Sequence, residues 1–190
     1  MSYREYFHHL LKSDIILILK QIVMKNLRIY KKDNSMLFNS KLDNFVMSNM
    51  YPCRLVYEGR EFQSVEQMFH YMIFSENDMV KGEIMKCKGI CNGFEVKKLC
   101  DKYSDLIDKD YDSKKYKYLF KCLEIKYLQC SEFRKLIDKS GGKNLVEYAP
   151  WDNEYGAIWD KNLKAYVGKN ACGRCMMKVR ENAFNGLYNV

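Results

Sequence analysis

Leu10, Leu11, Ile15, Ile18, Leu19, Ile22 and Val23 recur near the helical period, which predicts one amphipathic helix over residues 4–30. Residues 31–44, KKDNSMLFNSKLDN, then form a polar break, and the edge of the main domain falls there. Beyond it, CRLVYEGREFQ alternates around Glu58-Gly59, the pattern of a short hairpin ending at Phe62. A helix from Ser64 to about Glu76 follows, with Val65, Met68, Phe69, Met72 and Ile73 as its buried stripe. SVEQ at its start has the form of a capping box, Ser64 capping the N-terminus and Gln67 reaching back to it.

The middle of the chain is helical and rich in lysine. Its best-defined piece starts at Asp112 or Ser113 and carries Tyr116, Leu119, Phe120, Leu123 and Tyr127 on one side. KSGGKN (139–144) is a turn, and NLVEYA is a short strand or extended segment, since Pro150 disfavours helix just before it. Cys172, Cys175, Met176, Val179 and Ala183 define a last helix with Asn170 as its cap. The expected fold class is α+β, a predominantly helical single domain with a small sheet. Residues 1–40 are an N-terminal amphipathic helix and linker, and residues 41–190 are the domain.

A chain of 190 residues can bury a core without covalent staples. Its net charge of +8 favours an anionic partner, although the excess is spread along the chain as lysine. The eight cysteines do not look like a secreted framework. The apolar run from Ile15 to Leu19 is too short to cross a bilayer and leads into charged helix, not a cleavage site. Reduced thiols in an intracellular protein, in the cytoplasm or in a host's cytoplasm, with no membrane contact, are therefore expected. The cysteines give no convincing metal site either. Cys172 and Cys175 make a CxxC but lie on an apolar stripe, and Cys87 and Cys91 are spaced CxxxC, so no metal and no cofactor are expected.

The stretch LVEYAPWDNEYGAIW (145–159) has neither helical nor strand period. It gathers Glu147, Asp152 and Glu154 with two tryptophans and two tyrosines around a pivot at Gly156. Glu66 lies in the first turn of its helix, where the dipole favours an anion, and His70 is one turn further on. Each feature alone has a structural explanation: Asp152 is well placed to cap a turn, and Glu66 to stabilise a helix end. Together they describe one kind of site. Aromatic faces hold a base or sugar, a helix N-terminus holds phosphate, and paired carboxylates do acid–base work at a glycosidic carbon. No Walker loop, dinucleotide fingerprint, nucleophile elbow or kinase motif is present.

FVMSNMYPCRLVYEGREFQSVEQMFHYM, CLEIKYLQCSEFRKLI, LVEYAPWDNEYG and GKNACGRCMMKVR, in this order, resemble the NADAR family of YbiA-like proteins from about Asn44 to Arg180. The family hydrolyses N-glycosidic bonds, and two substrate classes are linked to it: ADP-ribose on guanine in nucleic acid, and ribosylamino-pyrimidine phosphates of riboflavin synthesis. The resemblance implies Glu66 as the principal catalytic carboxylate and Asp152 as the second acidic residue, orienting water or a ribose hydroxyl. Asn49 would line the pocket, and Tyr111, Trp151 and Tyr155 with Gly156 would form an aromatic wall. Gly168, Asn170, the following helix start and Arg174 would hold ribose or phosphate. The implied partner is ADP-ribosylated nucleic acid or a ribose-phosphate metabolite. Three positions depart from the family pattern: tyrosines at 111 and 155 stand for tryptophans, and Ile73 stands where a lysine is usual, leaving His70 or Lys81 to substitute. A module that binds ADP-ribose without cleaving it, and an interaction protein dimerising through the N-terminal helix, are the alternatives from other classes.

Overall fold

A computed structural model describes residues 27–42, 44–90 and 92–188. The helix expected over residues 4–30 falls outside these except at its end, where Arg28–Lys31 form strand β1 instead of helix. The polar stretch 31–44 is also more than a break. After a 3-10 turn at Lys32–Asn34, Ser35–Phe38 form strand β2, and Phe38 is fully buried. Its partner lies far along the chain: β2 pairs in parallel with residues 144–147, in register from Ser35↔Asn144 to Phe38↔Glu147.

The hairpin forms where alternation placed it, as β3 (Leu55–Tyr57) and β4 (Arg60–Phe62). Glu58 and Gly59 both adopt positive φ, 48° and 72°, as a two-residue turn matched to strand twist requires. Helix α1 (Val65–Ile73) follows, capped by Ser64, whose Oγ accepts from the Gln67 amide at 3.1 Å. The Gln67 side chain does not return to Ser64, contrary to the capping-box expectation. Its Oε1 accepts from the amides of Gln63 (2.8 Å) and Gly89 (2.7 Å), and its Nε2 donates to the carbonyls of Ile84 and Cys87. A buried amide side chain takes the partners that satisfy all its groups, and here these lie on the neighbouring segment.

Helices α2 (Asp78–Lys86), α3 (Asn92–Lys102), α4 (Tyr111–Gln129) and α5 (Ser131–Lys139) complete the lysine-rich middle. Strands β5 (Asn144–Glu147), β6 (Ile158–Asp160) and β7 (Ala165–Gly168) and helix α6 (Ala171–Phe184) close the chain. β1, β7 and β6 make a three-stranded antiparallel sheet; the residue after β5 is joined to the residue before β6 by the Tyr148–Ala157 bridge, and the β3–β4 hairpin pairs by itself. The main core lies among α1, α4 and α6, with Met68, Met72, Leu119, Leu123, Met176 and Val179 at its centre. A smaller cluster of Tyr30, Val146, Ala157 and Tyr166 fills the sheet side. Among the described residues no helix is long and apolar enough to cross a membrane.

One buried cation shapes the approach to the site. Lys126 of α4 is fully buried, and its Nζ donates to the carbonyls of Val46 (2.7 Å) and Ser48 (2.8 Å) with the Phe133 ring 4.6 Å away. Burial pushes its pKa down to about 8. The ammonium replaces lost water with carbonyls and a ring face, and so fixes the loop that carries Asn49.

Candidate active site

Three segments meet at Glu66. The cap at Ser64 starts α1 so that Glu66 occupies its first turn, 9% exposed, with its amide bonded to the Asn49 carbonyl at 3.0 Å. One turn on, His70 Nε2 lies 3.1 Å from Glu66 Oε1, and both side chains are largely enclosed. Among the described residues His70 Nδ1 is buried without a hydrogen-bond partner, as is Asn49 Oδ1. Such unpaired buried groups cost stability and are concentrated where a ligand or water completes the set. His70, not Lys81, is thus the polar group beside Glu66: Lys81 binds the Ser75 carbonyl and Asp78. Ile73, in the place of the family's lysine, is a core residue.

The second carboxylate of the cluster is Glu147, at the end of β5. It was visible in the sequence as one of three acids in the 145–159 stretch, but no motif singled it out. Burial pushes its pKa up, the charges of Glu66 and Asp152 add to that, and the carboxyl reaches about 7 despite an opposing contact from Cys172. Burial likewise holds the Cys172 thiol protonated, well above its ordinary range. Its Sγ accepts from Asn49 Nδ2 at 3.4 Å, so Asn49, Cys172 and Glu147 form a polar chain from the α1 side to β5.

Asp152 stands close enough for its charge to act on Glu147, while one of its oxygens caps the loop. Its Oδ1 accepts from the amides of Glu154 (2.9 Å) and Tyr155 (3.0 Å). Tyr155 packs edge-on against Phe69 and shares a 2.6 Å hydroxyl contact with Tyr111 at the start of α4. The two tyrosines that replace tryptophans are therefore tied to one another. Trp151 is set apart from this group, its side chain 91% exposed. Beside the tyrosine pair, Glu154 binds Lys169 (2.7 Å), Lys115 (2.9 Å) and the Tyr116 hydroxyl; these contacts outweigh burial and hold its carboxyl down at about 2.

The GKN segment builds this wall from behind. Asn170 is fully buried in the left-handed region (φ 48°), and its side chain caps nothing in α6. Instead Oδ1 accepts from the Glu147 amide (3.1 Å) and Nδ2 donates to the Leu145 carbonyl (2.8 Å), clamping β5 in place. The first α6 amides are also occupied: Ala171 N donates to the Glu154 carbonyl and Cys172 N to the Tyr155 carbonyl, each at 3.0 Å. That helix start is closed by the protein's own loop, which takes the donors a phosphate would need. Gly168 allows the approach, since a Cβ there would lie 2.3 Å from the Gly156 carbonyl oxygen. Gly156 is equally confined, its Cβ position 2.7 Å from the Glu147 carbonyl oxygen. Gly156, Gly168 and Asn170 thus position Glu147 and the 152–155 loop from behind. Arg174 is exposed on the first turn of α6, near enough to Tyr116 for its charge to act on that hydroxyl.

A family model described as the NADAR domain matches residues 31–183. The NMR structure of YbiA from E. coli has a similar fold, with a TM-score of 0.68 at 23% identity over 83% of this chain and 90% of that one. No curated protein matches the chain significantly.

Proposed function

The chain belongs to the NADAR family, which is associated with N-glycosidase activity, and on that premise we propose that it removes ADP-ribose from ADP-ribosylated guanine in DNA. The observation that carries this reading is the meeting of Glu66 in the first turn of α1, paired with His70, with Glu147 at the end of β5, clamped by Asn170, and Asp152 in the 152–155 loop; burial raises the Glu147 pKa toward neutrality, to about 7. Carboxylates set in unlike environments divide acid and base roles in glycoside hydrolysis.

In the proposed step the C1–N bond of the ribose breaks and its electron pair leaves with the guanine nitrogen. Glu147 delivers a proton to that nitrogen. A water oxygen forms the new bond to the ribose carbon, which carries oxocarbenium character at the transition state, and the water's proton passes to Glu66. His70 holds Glu66 in place. The Asp152 oxygen left over from capping holds a ribose hydroxyl, Asn49 lines the pocket through its unpaired Oδ1, and Trp151, Tyr111 and Tyr155 offer aromatic faces. Arg174 is the cation for the phosphates. The basic balance of the chain supports a nucleic-acid substrate, since phosphate contacts give salt-dependent affinity.

The test is incubation with single-stranded DNA carrying ADP-ribosyl guanine in ¹⁸O-water. Release of ADP-ribose with one heavy oxygen at the ribose carbon, leaving unmodified guanine, is the expected result. Hydrolysis of a ribosylamino-pyrimidine phosphate in place of the DNA adduct moves the substrate to the metabolite class. Binding of ADP-ribose with neither bond cleaved overturns the enzyme in favour of a reader.

A further inference from the structure

Two cavities of about 650 and 630 Å³ lie away from the carboxylates. The second is a cleft between the β3–β4 hairpin, the far end of α1 and the outer face of α4. Four cations line it, Arg60, Lys81, Lys117 and Lys121, against two carboxylates, Glu58 and Glu124. Lys81 is spoken for by Asp78 and Lys121 by Glu124. Arg60 and Lys117 are exposed and make no ion pair among the described residues. The cleft is also aromatic. The Tyr71 ring has the Arg60 guanidinium at 5.7 Å and the Lys81 ammonium at 5.3 Å, and the Phe62 ring packs edge-on at 5.3 Å, while Tyr57 and Tyr118 line the same space.

Unpaired cations beside partly exposed tyrosine rings are what a single nucleic-acid strand meets in sequence-tolerant binding: charge for the backbone, ring faces for the bases. A small apolar ligand has no use for the cations, and an inorganic anion has none for the rings. We propose that this cleft holds the single-stranded nucleic acid flanking the modified base, which rests on the DNA reading of the active site. Met72, which lines the cleft, lies on the same helix as Glu66, six residues further along α1, an axial rise of about 9 Å at 1.5 Å per residue and roughly a third of a turn around the helix. The strand therefore passes around α1 between the two places, and at roughly 3.4 Å per stacked nucleotide it needs at least three nucleotides to do so. Arg60 and Lys117 contact phosphates, and the tyrosines stack on the bases between them.

The test uses fluorescence anisotropy of the full chain with a labelled, unmodified oligothymidine of about twelve nucleotides, across a salt titration. Arg60→Ala/Lys117→Ala removes the two unpaired cations; Lys139→Ala/Lys161→Ala removes the same charge from exposed positions outside the cleft. The cleft variant binds at least tenfold more weakly, with a salt slope shallower by about 1.4, while the control changes less than twofold. Equal weakening by both variants, or none by the cleft variant, overturns the proposal. Turnover separates this from the reading beneath it. The cleft variant raises KM for ADP-ribosyl guanine in an oligonucleotide and leaves the same adduct on a mononucleoside unaffected. If the wild type cleaves neither substrate, the activity fails and the anisotropy still decides the cleft.

Discussion

His70 Nε2 stands 3.1 Å from Glu66 Oε1, one helical turn along α1, with both side chains nearly enclosed and the other imidazole nitrogen without a partner among the described residues. A carboxylate held at one oxygen by a neighbour on the same rigid helix keeps the other oxygen aimed in one direction. Replacing His70 by Ala should lower kcat by about 10²-fold and leave KM within a few-fold, because general-base efficiency depends on that aim. Steady-state kinetics on an ADP-ribosylated oligonucleotide checks it; an unchanged kcat removes His70 from the site.

Glu147 gives the fold and the activity a shared pH dependence. Its folded pKa of about 7 lies above the ordinary 4.5, so between those values the native state keeps a proton that the unfolded chain loses. Stability from this group is complete below pH 4.5 and is lost as pH rises through 7. Glu147→Gln carries the neutral form throughout. Relative to wild type it should gain up to about 3 kcal/mol between pH 4.5 and 8, measured by urea unfolding, while losing most activity. Wild-type activity should itself fall above about pH 7 as the acid ionises. A stability difference that does not vary with pH contradicts the assignment.

Gly173 is the tightest point of the wall, where a Cβ would stand 1.9 Å from the Leu145 carbonyl oxygen and 2.6 Å from Asn170 Nδ2. Gly173→Ala must push β5 from α6 and break the Asn170 clamp, at about 3 kcal/mol or more. Gly142, with nothing within 4 Å of its Cβ position, is the control and should change by less than about 0.5 kcal/mol on Gly142→Ala. Thermal denaturation of both variants reads the contrast.

Trp151 is 91% exposed, so Trp151→Ala should leave stability within about 0.5 kcal/mol. KM should rise at least fivefold with kcat little changed, since the ring offers its face to the substrate and not to the reacting atoms, and steady-state kinetics checks it. Unchanged KM makes it an ordinary exposed ring.

What could be read from the sequence was local. Alternation about Glu58-Gly59 and the Ser64 cap are short-range signals, and both formed as expected. The β2 strand could not be read from its own residues, because Phe38 is buried by pairing 109 residues away with Glu147. The same long-range pairing hid Glu147, which the fold buries beside Cys172 and within range of the Glu66 charge. Asn170 carried a helix-cap signal, but in the left-handed region its amide points back to β5. Nothing in the sequence distinguishes Lys126 from the other lysines of its helix; the carbonyls of Val46 and Ser48 and the Phe133 ring that explain its burial come from other segments.

The most direct measurement is a single-turnover comparison of wild type and Glu66→Gln on single-stranded DNA carrying ADP-ribosyl guanine, with binding measured alongside. Loss of at least about 10³-fold in the cleavage rate, with Kd unchanged within a few-fold, is the predicted result for the carboxylate that meets the reacting ribose carbon. Cleavage by Glu66→Gln at the wild-type rate would contradict it and move the chemistry away from α1.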